Sequence, residues 1–106
     1  MKTEIYLIHH TKRCKACYVV EEVTNRMLKE TYPVSAARKE LVFKSVDIET
    51  KAGLKTAKAL GVKDKALLVI HGDERFDITE KGYLYAETNP DLLVSLYHSI
   101  LKRYLN

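Results

Sequence analysis

Apolar residues are concentrated in four short runs, each of the length that a β-strand requires. These runs cover residues 4–9, 41–47, 66–70 and 75–78. The first and third runs are almost continuously apolar, which is typical of strands buried on both faces of a sheet. The second is rich in β-branched and aromatic residues, and the fourth alternates between polar and apolar positions. The pattern therefore predicts four strands, with the first buried at the centre of a sheet.

A helical repeat follows the first strand. Between residues 14 and 30, four apolar side chains recur at the spacing of an amphipathic helix. These side chains are Ala16, Val20, Val23 and Met27. Tyr32 and Pro33 are expected to end this helix, because proline disfavours helical geometry in the residue before it. A polar loop is then expected to lead into the second strand.

Two further helices are predicted from the residues at their ends. Thr50 is suited to be the N-cap of a helix that stops at Gly61. Asn89 and Pro90 predict the start of a last helix, because a capping side chain precedes a proline at the first helical position. The segment between residues 78 and 89 is expected to be a loop.

The resulting order of elements is β-α-β-α-β-β-α. A helical crossover makes the first two strands parallel, and the short turn at Gly72 makes the last two antiparallel. We therefore expect one α/β domain over residues 1–106, with a mixed four-stranded sheet and helices on both faces. Open sheets of this kind place their chemistry beyond the carboxyl ends of the strands, where Cys14 falls.

Composition and charge limit the partners of this domain. Of its 106 residues, 46% are hydrophobic and 30% are charged, as in ordinary globular proteins. No apolar stretch is long enough to span a membrane and no signal peptide is evident, so we expect a cytoplasmic protein with no membrane partner. The net charge of +4 is modest and the lysines alternate with acids, so no nucleic-acid partner is expected.

The cysteines form a C-x-x-C motif directly after the first strand. The spacing of Cys14 and Cys17 brings both sulfurs within disulfide reach at the first turn of a helix, which is typical of a redox dithiol. The flanking cations Lys12, Arg13 and Lys15 and the unpaired N–H groups of the helix N-terminus favour the reactive thiolate. Because Cys17 lies towards the apolar side of the helix, we expect a lower pKa for Cys14 than for Cys17.

A C-x-x-C pair can also belong to a zinc site or pack inertly in a core. A closed zinc site needs four ligands, and the chain has neither a second C-x-x-C motif nor a suitably spaced histidine pair. Inert packing is typical of apolar rather than cationic surroundings. The alternative is a binding protein that holds a soft metal or metalloid, such as Cu(I) or arsenic, through Cys14 and Cys17, with His9 or His10 as an auxiliary ligand.

This order of elements, with C-x-x-C after the first strand, resembles the thioredoxin-like superfamily over essentially the whole chain. The resemblance implies that Cys14 is the attacking thiolate and Cys17 the resolving thiol of a thiol–disulfide oxidoreductase. It also implies a disulfide-bearing protein or small molecule as substrate, an unknown electron donor and no organic cofactor. The segment at residues 61–63, followed by the third strand, is similar to the family's segment opposite the active site.

The chain departs from thioredoxins at three places. Thioredoxins carry Trp-Cys-Gly-Pro-Cys, whereas here Arg13 precedes the first cysteine and Lys15 follows it. The family's cis-proline position falls on Lys65 or Ala66, and a cis bond at a non-proline costs about 2.5–4 kcal/mol, so we expect trans peptide bonds there. The family's buried acid on the first strand is also missing, since no acid follows Glu4 in this strand.

Two adjacent histidines are candidates for the missing proton acceptor. Imidazole titrates near neutral pH, and His9 and His10 end the first strand. Adjacent strand residues point to opposite faces, so at most one of them faces the dithiol. The alternative is that both are solvated or hydrogen-bonded to the loop. Tyr6 is expected in the core, and Tyr83 and Tyr85 either border the site or cover the sheet edge.

Overall fold

A computed structural model of the chain describes residues 2–105. These residues form four strands and five helices. In chain order the elements are β1 (Thr3–His9), α1 (Lys15–Glu30), α2 (Pro33–Ala37), β2 (Leu41–Asp47), α3 (Lys51–Ala59), β3 (Ala66–His71), β4 (Glu74–Asp77), α4 (Thr79–Thr88) and α5 (Pro90–Leu101). No helix within residues 2–105 has the length and apolar character needed to cross a membrane.

The strands form one mixed sheet in the order β2-β1-β3-β4. β1 and β2 are parallel, with Ile5 opposite Phe43, because α1 carries the chain back to the same edge of the sheet. β3 is antiparallel to both β1 and β4, and Gly72 turns the chain between β3 and β4 with a φ of 59°. The predicted α/β fold with a mixed four-stranded sheet is confirmed.

Different helices cover the two faces of the sheet. On β1, Ile5 and Leu7 pack in the core beneath α1, α4 and α5, whereas Tyr6 and Ile8 pack on the opposite face with Ala57 of α3. Complete burial of a Leu or Ile side chain contributes about 1.5–3 kcal/mol to stability. Since both faces of β1 are covered, the middle of this strand, residues 5–8, is continuously apolar, and Tyr6 is a core residue as predicted.

Two segments predicted as loops are helical. Pro33 opens the short helix α2 at its first position, and the Tyr32 carbonyl accepts the first hydrogen bond of this turn from Ala36. The segment after β4 forms α4, in which Gly82 faces the sheet. A Cβ at Gly82 would lie 2.6 Å from a Leu67 methyl carbon. This glycine therefore permits close packing of helix on sheet rather than breaking the helix.

The predicted helix boundaries are otherwise close to those observed. The hydroxyl of Thr50 accepts a hydrogen bond from the backbone N–H of Gly53 at 2.9 Å and so caps α3. Gly61 follows this helix with a φ of 71°, which glycine adopts without steric cost. Asn89 precedes α5 as predicted, although its side chain makes no capping hydrogen bond within the described helix.

Candidate functional site

The two cysteines occupy the first turn of α1, just beyond the carboxyl end of β1. Cys14 is the N-cap residue and has an extended backbone conformation. Its sulfur accepts a hydrogen bond from the backbone N–H of Cys17 at 3.4 Å, as the side chain of an N-cap residue does. The first turn contains no acidic residue, so the positive end of the helix dipole faces the Cys14 sulfur without an opposing charge.

The two sulfurs lie close together but differ in exposure. Their separation is 2.9 Å and both thiols are free. This distance exceeds the S–S bond length of about 2.05 Å and allows the thiols to share a proton. Cys14 is exposed, whereas Cys17 is 3% exposed. The motif therefore combines an accessible sulfur with a buried one.

The pKa values of the two thiols are shifted in opposite directions. Partial burial raises the pKa of Cys14, but hydrogen bonds from the thiol and backbone N–H of Cys17 outweigh this effect, and the charge of Lys65 lowers the pKa further. Burial raises the pKa of Cys17, as does the hydrogen bond that its thiol gives to Cys14. The negative charge of the reduced pair is therefore favoured on the exposed Cys14 sulfur.

Tyr83 and Lys65 complete the surroundings of the dithiol. The Cys17 sulfur lies 3.5 Å from the Tyr83 hydroxyl, within hydrogen-bond distance. The ammonium of Lys65 lies 5.0 Å from the centre of the Tyr83 ring, within the range of a cation–π interaction. Both Tyr83 and Tyr85 pack against the main core, but within the described residues only the Tyr83 hydroxyl is within hydrogen-bond distance of a cysteine. Lys65 was not a candidate from the sequence, because it approaches from the loop before β3.

The predicted cations flank the motif in different ways. The guanidinium of Arg13 is hydrogen-bonded to the carboxylate of Glu21 and lies 5.5 Å from the Tyr18 ring centre. Lys12 and Lys15 are exposed, and within residues 2–105 neither has a carboxylate within ion-pair distance. Part of the expected positive charge is therefore neutralised at Arg13, and the remainder is open to solvent.

The histidines make contacts away from the sulfurs. His9 is buried, and its Nδ1 lies 2.8 Å from the backbone oxygen of His10. The Nε2 of His10 lies 2.7 Å from a carboxylate oxygen of Asp64, and its Nδ1 lies 3.5 Å from one of Glu49. In the described part of the chain, neither ring is hydrogen-bonded to a cysteine. These contacts match the alternative in which the histidines bind the surrounding loops.

The loop before β3 and the potential metal ligands complete the description of the site. No cis peptide bond occurs within residues 2–105, so the bonds around Lys65 and Ala66 are trans, as predicted.

Within residues 2–105, no group of three or more His, Cys, Asp or Glu side chains is arranged to hold a metal ion. The chemistry available at the site is that of the two thiols and the Tyr83 hydroxyl.

Comparison with known proteins bears on the fold. No protein-family model and no curated protein matches this chain. A solved structure described as "Structure of a malarial protein" is similar, with a TM-score of 0.51 and 15% sequence identity. The match covers 82% of this chain and 94% of the malarial chain. At this level of identity, the similarity shows a shared α/β fold and nothing about activity.

Proposed function

We propose that this chain is a thiol–disulfide oxidoreductase and a divergent member of the thioredoxin-like superfamily. The observation that carries the proposal is the unequal pair of thiols: Cys14 is exposed with a lowered pKa, and Cys17 is buried with a raised pKa. The order of strands and helices also supports the family assignment, because the dithiol lies between the first strand and the helix of a parallel β-α-β unit, and an antiparallel strand pair and further helices follow this unit.

The reaction is an exchange of disulfide bonds. The Cys14 thiolate attacks one sulfur of the substrate disulfide, forms a mixed disulfide and expels the other sulfur as a thiolate. The thiolate of Cys17 then attacks the Cys14 sulfur. A Cys14–Cys17 disulfide forms, the bond from Cys14 to the substrate breaks, and the second substrate thiolate leaves with the electron pair. The substrate is reduced to two thiols, and the protein dithiol is oxidised.

The proposed cycle needs a substrate and an electron donor but no organic cofactor. The substrate is a disulfide-bearing protein or small molecule, and a donor dithiol must return the Cys14–Cys17 disulfide to its reduced state. We place this cycle in the cytoplasm, where a catalytic dithiol is regenerated and structural disulfides are rare.

Turnover by cysteine variants tests the proposal. Catalytic amounts of the protein should accelerate the reduction of a protein disulfide by dithiothreitol, because the lowered pKa of Cys14 gives it a larger thiolate fraction at neutral pH than an ordinary thiol has. The double variant Cys14→Ser/Cys17→Ser should give the uncatalysed rate. The single variant Cys17→Ser should accumulate a mixed disulfide through Cys14, whereas Cys14→Ser should trap little, since Cys17 is buried.

Three results would contradict the proposal. Wild type and double variant could give the same rate, or the trapped adduct could map to Cys17. Alternatively, the protein could purify with one stoichiometric soft metal and show no disulfide reductase activity after chelation, which would favour the binding protein. Chelator-treated wild type is therefore the matched control, and it should retain full activity.

A further inference from the structure

The buried cysteine has a hydroxyl partner supplied by a distant helix. Tyr83 lies on α4, and its hydroxyl is 3.5 Å from the Cys17 sulfur. Gly82 allows this approach, because α4 packs so closely on the sheet at this residue that a side chain would contact Leu67. The same helix carries Tyr85, which packs against the main core and makes no side-chain hydrogen bond within the described residues.

We propose that Tyr83 is a catalytic residue of the resolving step, in which its hydroxyl donates a hydrogen bond to the Cys17 thiolate as that thiolate attacks the mixed disulfide. This inference rests on the thiol–disulfide exchange proposed above. In the reduced protein the Cys17 sulfur already lies within hydrogen-bond distance of the Tyr83 oxygen, while the Cys17 proton is held between the two sulfurs. Once Cys17 loses its proton to solvent, rotation of the phenolic O–H makes the same pair an O–H to S⁻ hydrogen bond.

The need for this donor arises when the mixed disulfide forms. In the reduced dithiol the Cys14 sulfur, 2.9 Å away, accepts the proton of Cys17 in a hydrogen bond. A Cys14 sulfur bonded to substrate carries no negative charge and no longer attracts that proton. Among the described residues, the Tyr83 hydroxyl is then the one remaining side-chain group within hydrogen-bond distance of the Cys17 sulfur. A charge-assisted hydrogen bond from this hydroxyl stabilises the attacking thiolate.

Tyr83 remains a donor over the pH range of the reaction. Burial and the neighbouring Cys17 raise the pKa of its phenol above the ordinary value, so the hydroxyl keeps its proton. The titratable or charged groups that face this pair from other elements are Cys14, Lys65 and Tyr97. The Tyr83 proton itself is not transferred: the Cys17 proton goes to solvent, and the expelled substrate thiolate takes one from solvent.

A single-turnover experiment isolates the two steps. Reduced protein in slight excess is mixed with dithiobis(nitrobenzoate), whose two halves are released as coloured thiolates. The first release reports attack by Cys14, and the second reports resolution by Cys17 at a rate independent of concentration. Tyr83→Phe should leave the first rate unchanged and slow the second by roughly three- to tenfold at neutral pH, because loss of a hydrogen bond to a charged group lowers the thiolate fraction of Cys17 by roughly ten- to a hundredfold, while the more basic thiolate is more nucleophilic and recovers about half of this loss on a logarithmic scale. Tyr85→Phe, the control, should change neither rate.

The pH profile separates a catalytic role from a packing defect. The second rate of the wild type should rise with pH to a plateau as Cys17 ionises, and Tyr83→Phe should move the midpoint of this rise to higher pH. Phenylalanine keeps the aromatic ring beneath Lys65, so packing is retained. The inference is overturned if Tyr83→Phe resolves at the wild-type rate, or if both releases slow equally with an unchanged midpoint.

Failure of the proposed function would give a different result. If the protein is not a disulfide oxidoreductase, the wild type itself would show no unimolecular second release, whatever residue occupies position 83. If only the inference about Tyr83 is wrong, the wild type would complete both steps and the Tyr83→Phe variant would do so equally well.

Discussion

A cation from a loop that is distant in the sequence acts on the exposed Cys14 sulfur. The charge of Lys65 lowers the pKa of Cys14, and the Lys65 ammonium lies 5.0 Å from the centre of the Tyr83 ring. Lys12 and Lys15 are closer in sequence, yet neither is a main cause of this pKa shift. The pKa of Cys14 therefore depends on the loop before β3 as well as on its own helix.

Substitution of this cation should make Cys14 less reactive. In Lys65→Met the pKa of Cys14 should rise, so a smaller thiolate fraction is present at neutral pH and alkylation slows by up to about fivefold, since an exposed charge pair contributes about 0.2–1 kcal/mol. The measurement is the rate of iodoacetamide labelling, with the modified cysteine identified by peptide mass spectrometry. High salt should shrink the difference from wild type, because it screens exposed charges.

The matched control is Lys63→Met. Lys63 is exposed in the same loop and is not among the main causes of the Cys14 shift, so its removal should leave the labelling rate near that of wild type. Equal slowing in both variants would indicate a general effect of net charge and would contradict a specific role for Lys65.

At the scale of elements, the sequence predicts helix ends that depend on neighbouring residues. It does not predict contacts between elements that are far apart in the chain. Thr50 caps α3 through a hydrogen bond within its own first turn, so its side chain alone identifies the helix start. Gly82 lies in a helix, α4, that packs closely against Leu67 of β3, a contact that sequence spacing does not reveal. The same limitation hid the contact of Tyr83 with Cys17, whereas the C-x-x-C motif and its unequal burial were predictable.

Gly53 controls how closely α3 approaches the end of β2. An added Cβ at this position would lie 1.7 Å from the backbone oxygen of Asp47, and a backbone atom cannot move aside without displacing the element. Gly53→Ala should therefore destabilise the protein by more than about 2 kcal/mol, exceeding the gain of roughly 1 kcal/mol in helix propensity. The measurement is the free energy of unfolding from a denaturant titration.

Gly82→Ala provides the comparison for this prediction. Its added Cβ would lie 2.6 Å from the end of the Leu67 side chain, which can rotate, so the cost should be smaller than for Gly53→Ala. A larger loss of unfolding free energy in Gly82→Ala than in Gly53→Ala would contradict this prediction. It would mean that contact with a side chain costs more at these glycines than contact with the backbone.

In the whole molecule, loops meet beside the dithiol at one edge of the sheet. His10, from the loop after β1, binds Asp64 of the loop before β3 and approaches Glu49 of the loop after β2. The hydroxyl of Thr11 donates a hydrogen bond to Asp47 at the end of β2. These contacts connect three separate loops around the carboxyl end of β1, and two of them are made by the titratable imidazole of His10.

This arrangement predicts that stability depends on pH through His10. The hydrogen bond with Asp64 raises the pKa of His10, so its stabilisation is fully present below the unfolded-state pKa of about 6.5 and is lost as the pH rises through the raised folded-state value. The bond with His10 lowers the pKa of Asp64, so that contribution is present above about pH 3.9 and is lost as the pH falls through the lowered value. The difference in melting temperature between wild type and His10→Gln should therefore be largest between about pH 4 and 6.5 and should vanish in mildly alkaline solution. Lys12→Gln, which removes a neighbouring exposed cation, should show no such window, and a His10→Gln difference that is constant with pH would refute the assignment.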